Sequence, residues 1–143
     1  MEAQELTKPI IESERVGQLH ALARQYVLEG LGNKNFDAIP YANAVCLRAP
    51  LCPGGTANPI TGKENLRNIW WAPLPDLLGE VKMLDSFVNQ DLSAVCVEFH
   101  CQILLNPPVE LRVMDRFQVN AEGKITDQEN FFDPRDVTNP GWR

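Results

Sequence analysis

At 143 residues, 44% hydrophobic and 22% charged, the chain has the composition of one folded domain and is too apolar to be disordered. A net charge of −6 and a pI near 4.9 speak against a protein that grips nucleic acid through a basic face. No apolar run reaches the length of a membrane span. Residues 1–14 show no basic segment followed by an apolar stretch, so a cytoplasmic protein with reduced thiols is expected.

Residues 1–12 read as a flexible lead-in, 13–134 as a single domain and 135–143 as a C-terminal tail. From Ser13 to about Gly30, Val16, Leu19, Leu22, Ala23, Tyr26 and Val27 recur at spacings of three and four, the stripe of an amphipathic helix. Asn35–Tyr41 suggests a short helix that ends near Pro40. Ala44–Arg48 fits a short strand, and Pro50–Pro59, with Gly54 and Gly55, is a turn-rich loop of the kind that borders pockets. Thr61-Gly62-Lys63-Glu64 has the pattern of a capping box opening a helix that stops before Pro73.

The remainder reads as sheet: Glu80–Val88, Ala94–Leu105, Val109–Val119 and Ile125–Phe132, with turns at Asn106-Pro107-Pro108 and Asn120–Lys124. Helices precede an antiparallel sheet, so the class is α+β with helices on one face. Cys46, Cys52, Cys96 and Cys101 form no CxxC pair, and only His20 and His100 are at hand to join them. No metal site is expected. Cys52, in the Pro-Gly loop, is the thiol expected to be most exposed.

Asp115 stands out. In Leu111–Val119, alternate residues face opposite ways, and Leu111, Val113, Asp115, Phe117 and Val119 share the apolar side. A carboxylate there is costly unless paired, hydrogen-bonded or protonated. A satisfied buried acid, or a bulge that turns Asp115 outward, fits the same pattern as a functional carboxyl. On Ala94–Leu105 the phase puts Glu98, His100 and Gln102 opposite the apolar residues, which argues against His100 as a pocket base. His20 sits at the edge of its helix's stripe and reads as a surface residue.

The run Val113–Val119, then Glu122-Gly123-Lys124-Ile125 and Phe131-Phe132-Asp133-Pro134, resembles the ending of the nuclear transport factor 2-like superfamily. That group includes ketosteroid isomerase, limonene epoxide hydrolase, scytalone dehydratase and the SnoaL-like polyketide cyclases. Phe36–Ile39, Tyr41-Ala42 and Ile60–Glu64 fit it too, so the resemblance covers about residues 14–134. It implies a curved antiparallel sheet wrapped around the N-terminal helices as a cone with an internal apolar pocket. Pairing of two copies through the convex face of the sheet is implied as well.

The resemblance places Asp115 where ketosteroid isomerase has its oxyanion-hole acid, and Tyr26 where it has its tyrosine. A core tyrosine is the other reading of Tyr26. The isomerase's proton-moving Asp corresponds to Ala49, and Arg48 and Leu47 offer no substitute. The Asp that the cyclases and the epoxide hydrolase carry on the last strand corresponds to Asn130, which orients a ligand or a water but is no base. Gln128, Asn130 and Phe132 are expected on the pocket face, with Phe117 beside them. Trp70 and Trp71 cannot share one helix face, so one is expected to wall the pocket or pack inside while the other meets the sheet or a partner.

The function expected is that of a SnoaL-like protein whose apolar pocket takes a small, oxygen-containing molecule, with Asp115 as acid or base in an isomerase, cyclase or lyase. The alternative is a non-catalytic ligand-binding or protein-association module. Neither organic cofactor nor metal, nucleic acid nor membrane enters either reading.

Overall fold

The computed structural model describes residues 2–139, with side chains from Glu12 onward. Helix α1 spans Glu2–Gln25 and continues into a wider π-helical turn, Tyr26–Leu31. A 3₁₀ turn, Phe36–Ala38, leads to β1, Tyr41–Arg48. After the Pro-Gly loop come β2, Ile60–Thr61, and a helical run made of α2, Lys63–Asn65, and a second π-helical turn, Leu66–Trp71. Then follow α3, Leu74–Leu77, and the strands β3, Leu78–Val88, β4, Ala94–Ile103, β5, Val109–Val119, and β6, Ile125–Phe131. The short α4, Arg135–Thr138, follows. The side chains of most of the expected lead-in, and Trp142 of the tail, lie outside the described residues.

The class is α+β, and the described strands form one open six-stranded sheet in the order β2-β1-β6-β5-β4-β3. The sheet is mixed rather than wholly antiparallel: β1 runs parallel to β6, and every other neighbouring pair is antiparallel. Chain order hides this pairing, because β1 and β6 lie at opposite ends of the domain sequence. The capping box does not form. Gly62 precedes α2 at φ +96°, Thr61 stays in β2, and Asn65 instead donates its Nδ2 to the Thr61 carbonyl at 2.8 Å.

The helix stripe behaves as its spacing requires. Leu19, Leu22, Ala23, Tyr26, Val27 and Leu31 are buried against the inner face of the sheet, where Val95, Val97, Phe99, Val113 and Phe117 wait. Each such side chain contributes about 1.5–3 kcal/mol through burial. The Tyr26 ring packs edge-on against Phe117, centroids 4.7 Å apart, and against Phe99 at 6.4 Å. Gly30 permits the helix end to press on the next segment: a Cβ there would lie 2.6 Å from Ile39 Cγ1.

The hairpin β5–β6 closes as its sequence reads. Asn120 Oδ1 accepts the Glu122 and Lys124 amides at 3.1 and 2.8 Å, and Gly123 takes φ +78°. Arg15 ties α1 to two hairpins at once. Its guanidinium donates to the carbonyls of Leu92 (2.9 Å), Val119 (2.8 Å) and Asn120 (3.2 Å). Removing it strands those carbonyls, so Arg15→Ala is expected to lower stability by about 1.5–3 kcal/mol. Arg15→Lys should recover only part of this, since an ammonium cannot fork across three acceptors. Urea unfolding checks it: the midpoint should fall while the slope stays the same.

Candidate active site

Between the inner face of the sheet and the helical run 63–77 lies a cavity of about 400 Å³. Its walls are apolar. Phe99, Cys101, Ile103, Leu111 and Val113 come from β4 and β5, while Leu31, Ile69, Trp70, Leu74 and Leu77 come from the helical segments. Leu51, Cys52 and Pro53 of the Pro-Gly loop, with Phe132 and Val137, complete it. Polar groups enter only at one end, as Tyr26, Asp115 and Asn130.

Strand phase delivers two of these. β5 alternates buried and less buried residues along its whole length, and Asp115 is 1% exposed on the inner side. Asn130 of β6 is its direct cross-strand partner, and Val97 of β4 flanks it on the other side. Tyr26 arrives from above as the first residue of the π-helical turn, and Trp70 reaches the cavity from within the second one. Trp71 packs instead on Phe36, ring centroids 5.7 Å apart.

Behind this end sits a buried polar cluster. Gln128 is fully buried and does not touch the cavity. Its Oε1 accepts from the Tyr41 hydroxyl at 2.5 Å. Its Nε2 donates to the Tyr26 hydroxyl oxygen at 3.0 Å and to Asn130 Oδ1 at 2.8 Å. Both Nε2 hydrogens and the Oε1 of that amide are thereby used. Asn130 Nδ2 makes no hydrogen bond among the described residues and remains a free donor at the cavity end.

Asp115 is the opposite case. Burial pushes its carboxyl well above the usual carboxylate range. The Tyr26 hydroxyl stands close enough to draw it partly back down, yet the contact falls short of hydrogen-bond geometry, and neither carboxyl oxygen has a partner. Burial, and then Asp115, raise both tyrosines well above the ordinary phenol range. Burial, with Asp115 and Glu110 adding to it, pushes the Cys101 thiol up to about 12. Each of these shifts favours the protonated form.

Of the residues singled out in the sequence, Tyr26, Asp115, Asn130, Phe132 and Trp70 line the cavity together. Phe117 is fully buried under the Tyr26 ring, and Gln128 lies behind the wall, so neither reaches the void. Cys52 is buried at the cavity wall rather than exposed, because its loop folds inward there. His100 lies on the outer face, 3.4 Å from Glu110, and His20 bonds Ser86 Oγ at 2.6 Å. Sequence reading missed Tyr41 as a member of the polar cluster and Cys101 as cavity wall. Tyr41's place on the buried phase of Val45 and Leu47 was the available signal. Among the described residues, no group of three or more His, Cys, Asp or Glu side chains is placed to hold a metal ion. No described helix is long and apolar enough to cross a membrane.

No protein-family model and no curated protein matches the sequence. Solved structures do match. A candidate isomerase from Bacillus subtilis superposes with a TM-score of 0.72 over 87% of this chain and 92% of its own, at 16% identity. An epoxide hydrolase of limonene-epoxide-hydrolase type from Mycobacterium tuberculosis gives 0.65, over 85% and 87%, at 20% identity. A second Mycobacterium tuberculosis protein, solved with estradiol-17β-hemisuccinate, gives 0.66, over 80% and 93%, at 15% identity. The chain has the nuclear transport factor 2-like fold. Within that fold, the cavity described above lies between the inner face of the sheet and the helices.

The raised Asp115 has a consequence for stability. In the unfolded chain its carboxyl ionises near pH 4; in the folded protein it does so at higher pH. Between those two values the folded state holds one more proton, so stability is full below about pH 4 and declines as pH rises through the folded value. The slope approaches about 1.4 kcal/mol per pH unit. Exposed Asp37, Asp91 and Asp133, held low by Arg67, Ser93 and Arg135, act in the opposite sense at acid pH. The difference between the native chain and Asp115→Asn isolates the Asp115 contribution. Asp115→Asn is expected to gain on the native chain as pH rises above about 4, until the folded carboxyl ionises, in urea-unfolding measurements; parallel pH profiles contradict the assignment.

Proposed function

We propose that the cavity receives a compact, largely apolar molecule carrying one or two oxygens, and that Asp115 meets it as a neutral carboxylic acid. In that form Asp115 is a hydrogen-bond donor and a proton source, not a base. Tyr26 and the free Nδ2 of Asn130 hold the same oxygen, as preorganised donors do where charge develops on a carbonyl or leaving oxygen. The reaction class is isomerisation, cyclisation or elimination with Asp115 as general acid. The observation that carries this reading is a carboxyl with both oxygens unpartnered, opening on an apolar cavity. The isomerase and epoxide hydrolase of the same fold, and the steroid ester held by a third neighbour, support a small apolar guest.

A second reading has its own observation. Ala49 lines the cavity where the family resemblance implies a base, and among the described lining residues Asp115 is the only carboxyl group. A site with an acid and no base suits a binding module that holds its ligand without turning it over. Pairing of two copies through the outer face of the sheet belongs to the same proposal. Phe87 and Phe131, 48% and 44% exposed there, are the apolar surface that such pairing would cover. Sedimentation equilibrium tests the pairing, and a monomer at all concentrations removes it.

Asp115→Asn and Asp115→Ala separate the two readings. If Asp115 delivers a proton, Asn keeps the ligand but slows turnover by about two to four orders of magnitude. If Asp115 only donates a hydrogen bond, Asn retains affinity and Ala loses it. Turnover and calorimetric binding of small cyclic ketones and epoxides are the measurements, and failure of all of them to bind ends both readings.

A further inference from the structure

The outer face of the sheet carries its charges in bands. Cross-strand pairing sets the outward side chains in rows, about 7 Å apart along the strands. One row holds Asp85, Glu98, Met114 and Phe131, on successive strands from β3 to β6. The next holds Lys82, His100 and Arg112. Beyond it lie Gln102 and Glu110, with Glu80 beside them. On the far side of the acidic row lie Phe87, Cys96, Arg116 and Glu129. Acid, base and acid thus alternate across the middle of the face.

The charges of the two central rows find little opposite charge within the chain. Arg116 pairs with Glu129 at 3.3 Å, and His100 lies 3.4 Å from Glu110. Lys82, Asp85, Glu98 and Arg112 make no ion pair among the described residues. Asp85 Oδ1 accepts the neighbouring Ser86 amide at 2.8 Å, and both Asp85 and Lys82 are exposed. Phe87 and Phe131 are exposed on the same face, so apolar surface and unpaired charge adjoin.

A second copy of this chain carries the same bands. Two copies related by a two-fold axis meet reciprocally through one patch, and aligned sheets stack about 10 Å apart, within reach of facing side chains. An axis along the rows keeps each strand over its counterpart and reverses the order of the rows. Set on the acidic row, it lays Asp85 on the partner's Asp85; set on the basic row, it lays Lys82 on the partner's Lys82. Set between the Phe87 and Asp85 rows, it brings His100 and Arg112 onto the partner's Ala94 and Gln118, where no acid waits. Set between the Lys82 and Glu110 rows, it leaves Phe87 and Phe131 outside the contact. An axis along the strands, between β4 and β5, puts His100 on the partner's Arg112.

One placement pairs the charges and keeps the apolar surface covered. We propose that two copies dock with the axis between the Asp85 and Lys82 rows, so that Lys82 meets the partner's Asp85, His100 the partner's Glu98 and Arg116 the partner's Glu110. This rests on the reading that copies pair through the outer face, and adds the register and the residues that set it.

Lys82→Glu and Asp85→Lys each put like charges together at both symmetric contacts. Either variant alone is expected to pair more weakly than the native chain by about tenfold or more in sedimentation equilibrium. Mixed in equal amounts, the two variants form a mixed pair in which both contacts again join opposite charges, and affinity is expected to return to within about threefold of native. Effects of each substitution inside its own chain persist in the mixture, so the recovery reports on contact between copies alone. Native-like pairing of either variant by itself, or a mixture no tighter than its components, overturns the register and leaves the pairing standing. A native chain that stays monomeric overturns both. Should a reversal unfold the chain, Lys82→Ala, Asp85→Ala and the double variant serve instead: the double is expected to weaken pairing no more than either single, and additive losses overturn the register.

Discussion

A carboxyl group set into an apolar sheet face must shed its charge or find a cation, and among the described residues no charged group offsets the burial of Asp115. The rest of the cavity end follows from that. Burial pushes Asp115 toward its neutral form, and Tyr26, Tyr41 and Cys101 are shifted toward theirs by burial and by the neighbouring carboxyl. Tyr26, Cys101 and Asp115, all biased toward their protonated forms, line an apolar void in which a hydrogen bond competes with little water. Were Asp115 paired to an arginine, the same fold would present a fixed anion and quite different chemistry.

Placing a tyrosine over that carboxyl needs a helix that departs from its regular winding. The π-helical turn after α1 begins at Tyr26, and Gly30 within it allows the backbone to close on Ile39. The second helical run repeats the device, and its wide turn carries Ile69 and Trp70 into the cavity wall while Trp71 turns back to Phe36. An α-helical winding would rotate these side chains by a different angle per residue, and the polar end and the apolar wall would no longer face one another.

What could be read from the chain divides along a physical line. Period-two alternation in β5 is local and strong, so the inward side of Asp115 and the exclusion of His100 from the cavity followed from phase alone. The helix stripe through Tyr26 was local too. The parallel pairing of β1 with β6 was not, because it joins segments about eighty residues apart and leaves no mark on either. The capping box failed for a related reason: Gly62 adopts a backbone angle that Thr61 cannot use to cap, and the strand pairing of Thr61 with Cys46 wins. Tyr41 stayed hidden because its partner, Gln128, is brought to it only by that parallel pairing.

Gln128 and Asp115 make an instructive contrast, since both are polar, both are buried and they lie on neighbouring strands. Gln128 has partners on both ends of its amide and none of its atoms reaches the cavity, so its polarity is absorbed by the fold. Asp115 has no partner on either oxygen and lies at the cavity wall. Leaving a buried polar group unpaired costs about 1–3 kcal/mol, which a valine at the same position would avoid. A domain that pairs both Nε2 hydrogens and the Oε1 of one buried side chain and neither oxygen of its neighbour is not short of hydrogen-bonding capacity, for Asn130 Nδ2 stands unused at the same place. The unpaired Asp115 oxygens and Asn130 Nδ2 lie together at the cavity wall, where the oxygen of the proposed guest would be their partner.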